Sequence, residues 1–214
     1  TNIKGVHNLL NICRELKINL LHFSTDEVYG VKLSGKYTEE DPLNPRNPYS
    51  ATKAAADHLI KSFENTYGLK SIIIRPSNNY GPRQHEEKFL PKILKLINEN
   101  KKIPIYGNGQ QIREWTYVKD TAKATKYILE NASTGKIFNI SSGIELTNLN
   151  LVKIITKKSH VDFKDILSFV KDRPGHDVRY SVCSSKLKEL GYVNYASFAI
   201  GLEDMLKHMS VKMK

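Results

Sequence analysis

Apolar positions recur along this chain with two different periods, and the places where they switch define its elements. Ile3, Val6, Leu9, Leu10, Cys13 and Leu16 follow a helical period, predicting an amphipathic helix over Asn2–Leu16. INLLHFS, residues 18–24, is a continuous apolar run of strand length that fits a buried parallel strand. Residues 31–47 are polar and carry Pro42 and Pro45, which predicts a loop. Pro48 opens a second helix, with Ala55, Leu59 and Phe63 as its apolar stripe and Gly68 as its stop. Three consecutive isoleucines in Ser71–Arg75 predict a strand buried on both faces. Ser77-Asn78-Asn79 at its end, before Gly81-Pro82, reads as a loop or as a ligand contact.

Further on, FLPKILKLINEN (89–100) has a helical period, and KIPIY is a short strand closed by a glycine turn. Trp115–Val118 reads as a strand, with Asp120 as N-cap of a helix ending near Asn131. GKIFNIS is a strand with Asn139 near its end, and Leu149–Lys157 is a helix. After a loosely patterned stretch, Arg173, His176 and Arg179 crowd around a Pro-Gly turn. SSKLKELG is a short capped helix and SFAIGLEDMLKHM a final amphipathic one. Strand and helix alternating at this spacing imply βαβ units and a parallel sheet, an α/β class.

Composition narrows the function classes. The 214 residues suit one large domain, and no apolar run approaches the ~20 residues of a membrane span. Two cysteines, Cys13 and Cys183, exclude a disulfide framework or a zinc ribbon and point to a reducing, cytoplasmic setting; no metal site is expected. No secretion signal opens the chain, which starts inside a helical pattern, so an N-terminal portion is expected to be missing. The net charge of +11 comes from lysines scattered along helices, such as Lys92, Lys95, Lys123 and Lys126. That is a solvated face rather than a nucleic-acid motif, and it suits a small anionic ligand such as a diphosphate.

The chemistry-bearing residues gather around one strand end. Ser24 and Thr25 close the first apolar run and Asp26-Glu27 follow at once. Tyr49 and Lys53 are four apart, so they share one helix face. Ligands of open α/β sheets bind outside the carboxyl ends of the strands, where this set falls. Gly107-x-Gly109 is not a dinucleotide loop, because the third glycine and a following helix are absent.

These segments resemble the extended short-chain dehydrogenases/reductases that modify nucleotide sugars. Thr25 with Tyr49-x-x-x-Lys53 is similar to their signature, TNIKGVHNLL to a helical segment, and RPSNNYGP (75–82) to a third. The Asp26-Glu27 pair resembles the Thr-Asp-Glu triplet of dTDP-glucose 4,6-dehydratases and argues against an epimerase or decarboxylase. Their glycine-rich N-terminal half is not in this sequence, and Ser141-Ser142 stand where glycines are usual.

The resemblance implies a partial Rossmann-like parallel sheet with a smaller C-terminal substrate-binding region. Residues 1–82 would complete an NAD-binding domain, and 83–214 would bind nucleotide sugar, with 103–140 partly returning to the sheet. It implies NAD as cofactor, contacted by Ser24, Tyr49, Lys53 and Asn78. Tyr49 would be the base for the sugar 4-hydroxyl, its phenolate favoured by the Lys53 charge. Thr25 would hold the sugar oxygen, Glu27 would be the base at C5, and Asp26 would protonate the departing 6-hydroxyl. Asn79, Lys88, Phe89, Pro104, Tyr106, Arg113, Asn139, Arg173 and His176 would join Thr25 and Glu27 in binding dTDP-glucose or UDP-glucose. A homodimer through the first two helices is the implied assembly. The 214 residues alone are expected not to retain NAD; a binding remnant without activity is the remaining alternative.

Overall fold

A computed structural model describes residues 1–172, 177–193 and 195–209. Its first layer is a parallel sheet of β1 (Leu20–Phe23), β2 (Ser71–Pro76) and β6 (Lys136–Ile140), in the order β1-β2-β6. Leu20 pairs with Ser71, and Ile72 with Lys136, so β2 lies between neighbours and every one of its residues is buried. Alternating side chains explain the isoleucine run. Ile73 packs on one face against α1 (Lys4–Leu16) and α2 (Pro48–Tyr67), through Val6, Leu10, Ala56, Ile60 and Phe63. Ile72 and Ile74 pack on the other against Ala124 and Ile128 of α4 (Val118–Asn131). Fully burying one such side chain contributes about 1.5–3 kcal/mol.

A second body holds β3 (Asn78–Tyr80), β5 (Ile112–Tyr117) and β7 (Glu145–Thr147), and a separate pair of β4 (Ile103–Tyr106) with β8 (Leu167–Val170). Helices α3 (Phe89–Asn98), α5 (Asn148–Lys158) and α8 (Phe198–His208) enclose its core, in which Leu90, Ile93, Trp115, Leu151 and Leu202 meet. Two short helices, α6 (Phe163–Ile166) and α7 (Ser185–Glu189), complete the set. Within 103–140, β6 alone joins the first sheet; β4 and β5 belong to the second body.

Local signals explain the entry to α2, which carries Tyr49 and Lys53. Asn47 caps it: its side chain accepts from the Ser50 amide at 2.9 Å, and Ser50 Oγ accepts from the Asn47 amide at 3.2 Å. Pro48 then occupies a first-turn position where no N–H is needed. Gly68 ends the helix in the left-handed conformation, φ +66°.

The structure departs from sequence expectation at four places. Asn78-Asn79 are strand, not loop: β3 pairs with β5 in register Asn78↔Trp115 and Asn79↔Thr116. Helix α4 begins at Val118, so Asp120 lies in its first turn and does not cap it; its carboxylate accepts from the Ala196 amide at 2.7 Å. The short helix α7 carries no side-chain cap. The loosely patterned stretch after α5 holds α6 and β8, whose pairing with β4 is a long-range contact with no local signature.

Candidate active site

Thr25, at the carboxyl end of β1, caps a single 3₁₀ turn over Asp26–Tyr29: its Oγ1 accepts from the Glu27 amide at 3.3 Å. The tight turn forces the two carboxylates into different environments. Asp26 is 3% exposed, receives the Thr25 hydroxyl at 3.2 Å, and its other oxygen has no partner among the described residues. Burial pushes its pKa up to about 8, helped by the negative charges of Glu27 and Glu114 and opposed by the Thr25 hydrogen bond and Arg113. At pH 7 Asp26 is therefore largely a neutral acid, by roughly ten to one. Glu27 is partly exposed and accepts from Asn47 Nδ2 at 3.3 Å. Asn47 also reaches the Asp177 carboxylate at 3.3 Å, so one residue caps α2 and ties it to the acidic turn.

Tyr49 stands beside Thr25, Glu27 and Asp26 on the first turn of α2 and is 50% exposed. Its pKa is raised, first by burial and then by the two carboxylates, with a Thr25 hydrogen bond opposing. The Lys53 ammonium donates to the Phe23 carbonyl at 2.5 Å and has Asp57 as a charge partner. Burial lowers the Lys53 pKa as well. Nearby, His22 is lowered to about 4 by burial and the Lys53 charge, so its ring is neutral. Ser24 is buried, its amide donating to the Ile74 carbonyl at 2.8 Å.

Behind the turn, Asp57 and Arg75 form a buried ion pair at 2.9 Å. Arg75 also donates to the Tyr29 hydroxyl at 2.7 Å, and Tyr29 donates to Asn139 Oδ1 at 2.9 Å. Asn139 is wholly buried, and its amide nitrogen donates to the Tyr37 and Cys183 carbonyls. Its polar atoms are thus committed to the protein frame. Glu114 is likewise buried and accepts from Ser141 Oγ and, at 2.6 Å, from the Gly143 amide. Ser141, standing where a glycine is usual, gives that carboxylate a hydroxyl donor.

A cleft of about 430 Å³ opens in the second body, lined by Asn78, Asn79, Lys88, Phe89, Pro104, Tyr106 and Arg113. Seven residues expected to bind cofactor or substrate therefore share one wall or another of a single cavity. Arg113 links it to the acidic turn. Its guanidinium donates to the Ile112 carbonyl at 2.8 Å and the Asp177 carbonyl at 2.9 Å, stacks over Tyr180, and acts electrostatically on Asp26 and Glu27. Arg173 and His176 lie outside the described residues. Arg179 grips Glu145 through two 2.9 Å bonds and is structural. No cluster of three or more potential metal ligands occurs among the described residues.

Sequence reasoning missed Asn47, whose Asn-Pro step before a helix is a readable cap signal. It also missed Gln84 and Trp115, which line the cleft and carry no local signal.

A parallel sheet with a Tyr-x-x-x-Lys helix at its carboxyl edge and a second body forming a ligand cleft defines a short-chain dehydrogenase/reductase type of protein. The chain belongs to the family described as GDP-mannose 4,6 dehydratase, whose model matches residues 1–205. It is 45% identical over 204 residues to the low-salt glycan biosynthesis protein Agl12 of Haloferax volcanii, covering 95% of this chain and 66% of that one. It is 41% identical over 230 residues to a dTDP-glucose 4,6-dehydratase of Haemophilus influenzae, covering 97% and 68%. DesIV, a dTDP-glucose 4,6-dehydratase from Streptomyces venezuelae solved with NAD bound, superposes with a TM-score of 0.95 at 38% identity, over 99% of this chain and 66% of that one. The chain thus spans about two thirds of the length of the relatives it matches. No helix among the described residues is long and apolar enough to cross a membrane.

Proposed function

We propose that these residues form the catalytic and substrate-binding part of a nucleotide-sugar 4,6-dehydratase that converts dTDP-glucose to its 4-keto-6-deoxy product. The observation that carries the reading is the Asp26-Glu27 pair: one carboxyl buried and protonated at neutral pH, its neighbour partly exposed and held by Asn47. Eliminating water needs an acid and a base side by side, and environments that push two carboxyls apart supply both. Residues 1–82 then complete the dinucleotide domain, and 83–214 bind mainly the nucleotide sugar.

The residues present fit the nicotinamide half of NAD. The Asn78 side-chain oxygen is buried without a partner among the described residues, and Ser24, Tyr49 and Lys53 gather around the end of β1. When bound, NAD supplies a hydride acceptor and later a hydride donor. Lys53 holds the nicotinamide ribose. Tyr49 takes the proton of the sugar 4-hydroxyl, and Thr25 holds that oxygen. Glu27 removes the C5 proton made acidic by the 4-ketone. Asp26 gives its proton to the departing 6-hydroxyl, which leaves as water.

Arg113 serves the diphosphate, with Arg173 beside it by resemblance; Tyr106 serves the base, and Asn79, Lys88, Phe89, Pro104 and His176 complete the pocket. Asn139 supports that pocket from behind rather than from its wall. A homodimer through α1 and α2 accords with Leu9, Ile12 and Leu16, which form an exposed stripe on α1. The test is calorimetric titration of the chain with dTDP, dTDP-glucose and UDP-glucose. Binding of dTDP-glucose that is lost in Arg113→Ala supports the reading. A chain that binds none of the three ligands refutes it.

A further inference from the structure

Asp177 is a buried carboxylate to which the proposed reaction gives no task. Its Oδ2 accepts twice, from the Tyr180 hydroxyl and, at 3.3 Å, from Asn47 Nδ2. The same Asn47 nitrogen donates to Glu27 Oε2 at 3.3 Å. The amide can sit only this way round, because Asn47 Oδ1 receives the Ser50 N–H at 2.9 Å and a backbone N–H cannot accept. The two N–H groups of Asn47 therefore go one to each carboxylate, while its oxygen is held by the first turn of α2. Two of the three points that locate this amide lie away from Glu27.

Asp177 is itself tied down. Its backbone carbonyl receives Arg113 Nη2 at 2.9 Å, and the Arg113 guanidinium carbon lies 4.7 Å from the centre of the Tyr180 ring. Tyr180 is buried, and burial together with the Asp177 bond raises its pKa, so it remains a donor to that carboxylate. Glu27 and Asp177 carry like charge and would move apart; the shared amide bridges them, and the Arg113 charge acts on both. Glu27 is partly exposed, so without the amide its carboxylate is free to turn towards water. We infer that Asn47 and Asp177 are positioning residues for Glu27: Asp177 fixes the Asn47 amide, and Asn47 holds the Glu27 carboxylate at the sugar C5. This rests on the reading of Glu27 as the C5 base.

The C5 step can be isolated, because it needs no hydride acceptor once the 4-ketone is present. Glu27 takes the C5 proton, and the C–H electron pair becomes the C4=C5 bond of an enolate. In D₂O a deuteron returned from Glu27 restores the ketone, so C–H becomes C–D with no net oxidation. The 214-residue chain is mixed with dTDP-4-keto-6-deoxyglucose in D₂O, and loss of the C5 proton signal is followed by NMR against a protein-free control. Asn47→Ser keeps a helix cap and loses the amide bridge. Asp177→Ala keeps the backbone carbonyl that Arg113 uses. Each exchanges C5 about tenfold more slowly than wild type and binds the ketone within about twofold of it, the pattern of lost positioning rather than lost binding. Asp177→Asn keeps an acceptor oxygen and recovers most of the rate. Thermal midpoints separate lost positioning from lost fold, and Asn47→Ser carries the test if Asp177→Ala does not fold. Wild-type rates in Asn47→Ser and Asp177→Ala, or equal losses in Asp177→Asn and Asp177→Ala, overturn the inference. A ligand-free readout tests the bridge itself: the ¹⁵N side-chain amide cross-peaks of Asn47, identified by their absence in Asn47→Ser, shift in Asp177→Ala. Unmoved peaks overturn the inference whatever the sugar does. A wild-type chain that binds the ketone without exchanging C5 removes Glu27 as the base, and the inference with it. One that does not bind the ketone sinks the nucleotide-sugar reading, and the amide peaks then decide the bridge alone.

Discussion

Replacing Asp26 by Asn tests the buried-acid assignment through stability, without any ligand. In the folded chain the Asp26 pKa is about 8 against an ordinary 3.8, because burial and the Glu27 and Glu114 charges disfavour the carboxylate. A group with a raised folded pKa binds more protons in the folded state between those two values. Stability therefore falls as pH rises through that window, by up to ~1.4 kcal/mol per unit. From about pH 5.5 to about pH 7.5 the site alone should cost roughly 2–3 kcal/mol, most of it before the folded group itself begins to ionise. Asn keeps the shape and the Thr25 contact but cannot ionise, so this slope vanishes in Asp26→Asn. For a chain of this length that corresponds to about 5–10 °C. The assay is thermal unfolding of both proteins across the range, with the difference in midpoint plotted against pH. The variant should gain on wild type steadily as pH rises. A difference that stays flat would mean that Asp26 is already ionised at neutral pH, and the acid role would fall with it.

Other outcomes follow from the same geometry. In a protein that joins these residues to a glycine-loop dinucleotide site, Tyr49→Phe should slow NADH appearance in single turnovers by about 10²–10⁴-fold; an undiminished rate would remove Tyr49 as base. Asp57→Ala leaves Arg75 buried without its ion pair and should cost about 3–5 kcal/mol by urea unfolding, whereas a loss under ~1 kcal/mol would show the pair to be solvated. Gly30→Ala should destabilise the acidic turn, since φ is +84° and a Cβ would run into the Asn44 carbonyl oxygen; unchanged nucleotide binding and midpoint would contradict that packing. The 214 residues alone should release no NAD on acid treatment after purification, because no Gly-x-x-Gly-x-x-Gly spacing occurs among them; stoichiometric NAD would show that the loop is dispensable.

Much of the frame was legible because its signals are local. The isoleucine run of β2, the Asn-Pro entry and Gly68 exit of α2, and the four-residue step from Tyr49 to Lys53 each depend on neighbours within a turn or a strand. What those residues do to one another was decided only by tertiary contacts. The sequence places Asp26 and Glu27 side by side, but it cannot say that one is sealed under Glu114 and Arg113 while the other meets water and Asn47. It places Lys53 near Tyr49, but the Phe23 carbonyl, thirty residues away in sequence, claims the ammonium. Asn139 has the residue type of a ligand contact, yet Tyr29, Tyr37 and Cys183 absorb its amide. Gln84 and Trp115 show the converse: nothing local marks them, and only the β3–β5 register and the Asn79 carbonyl bring them into the lining of the cleft. Periodicity and caps are written in short windows of the chain, whereas desolvation and hydrogen-bond commitment depend on what the rest of the fold brings alongside.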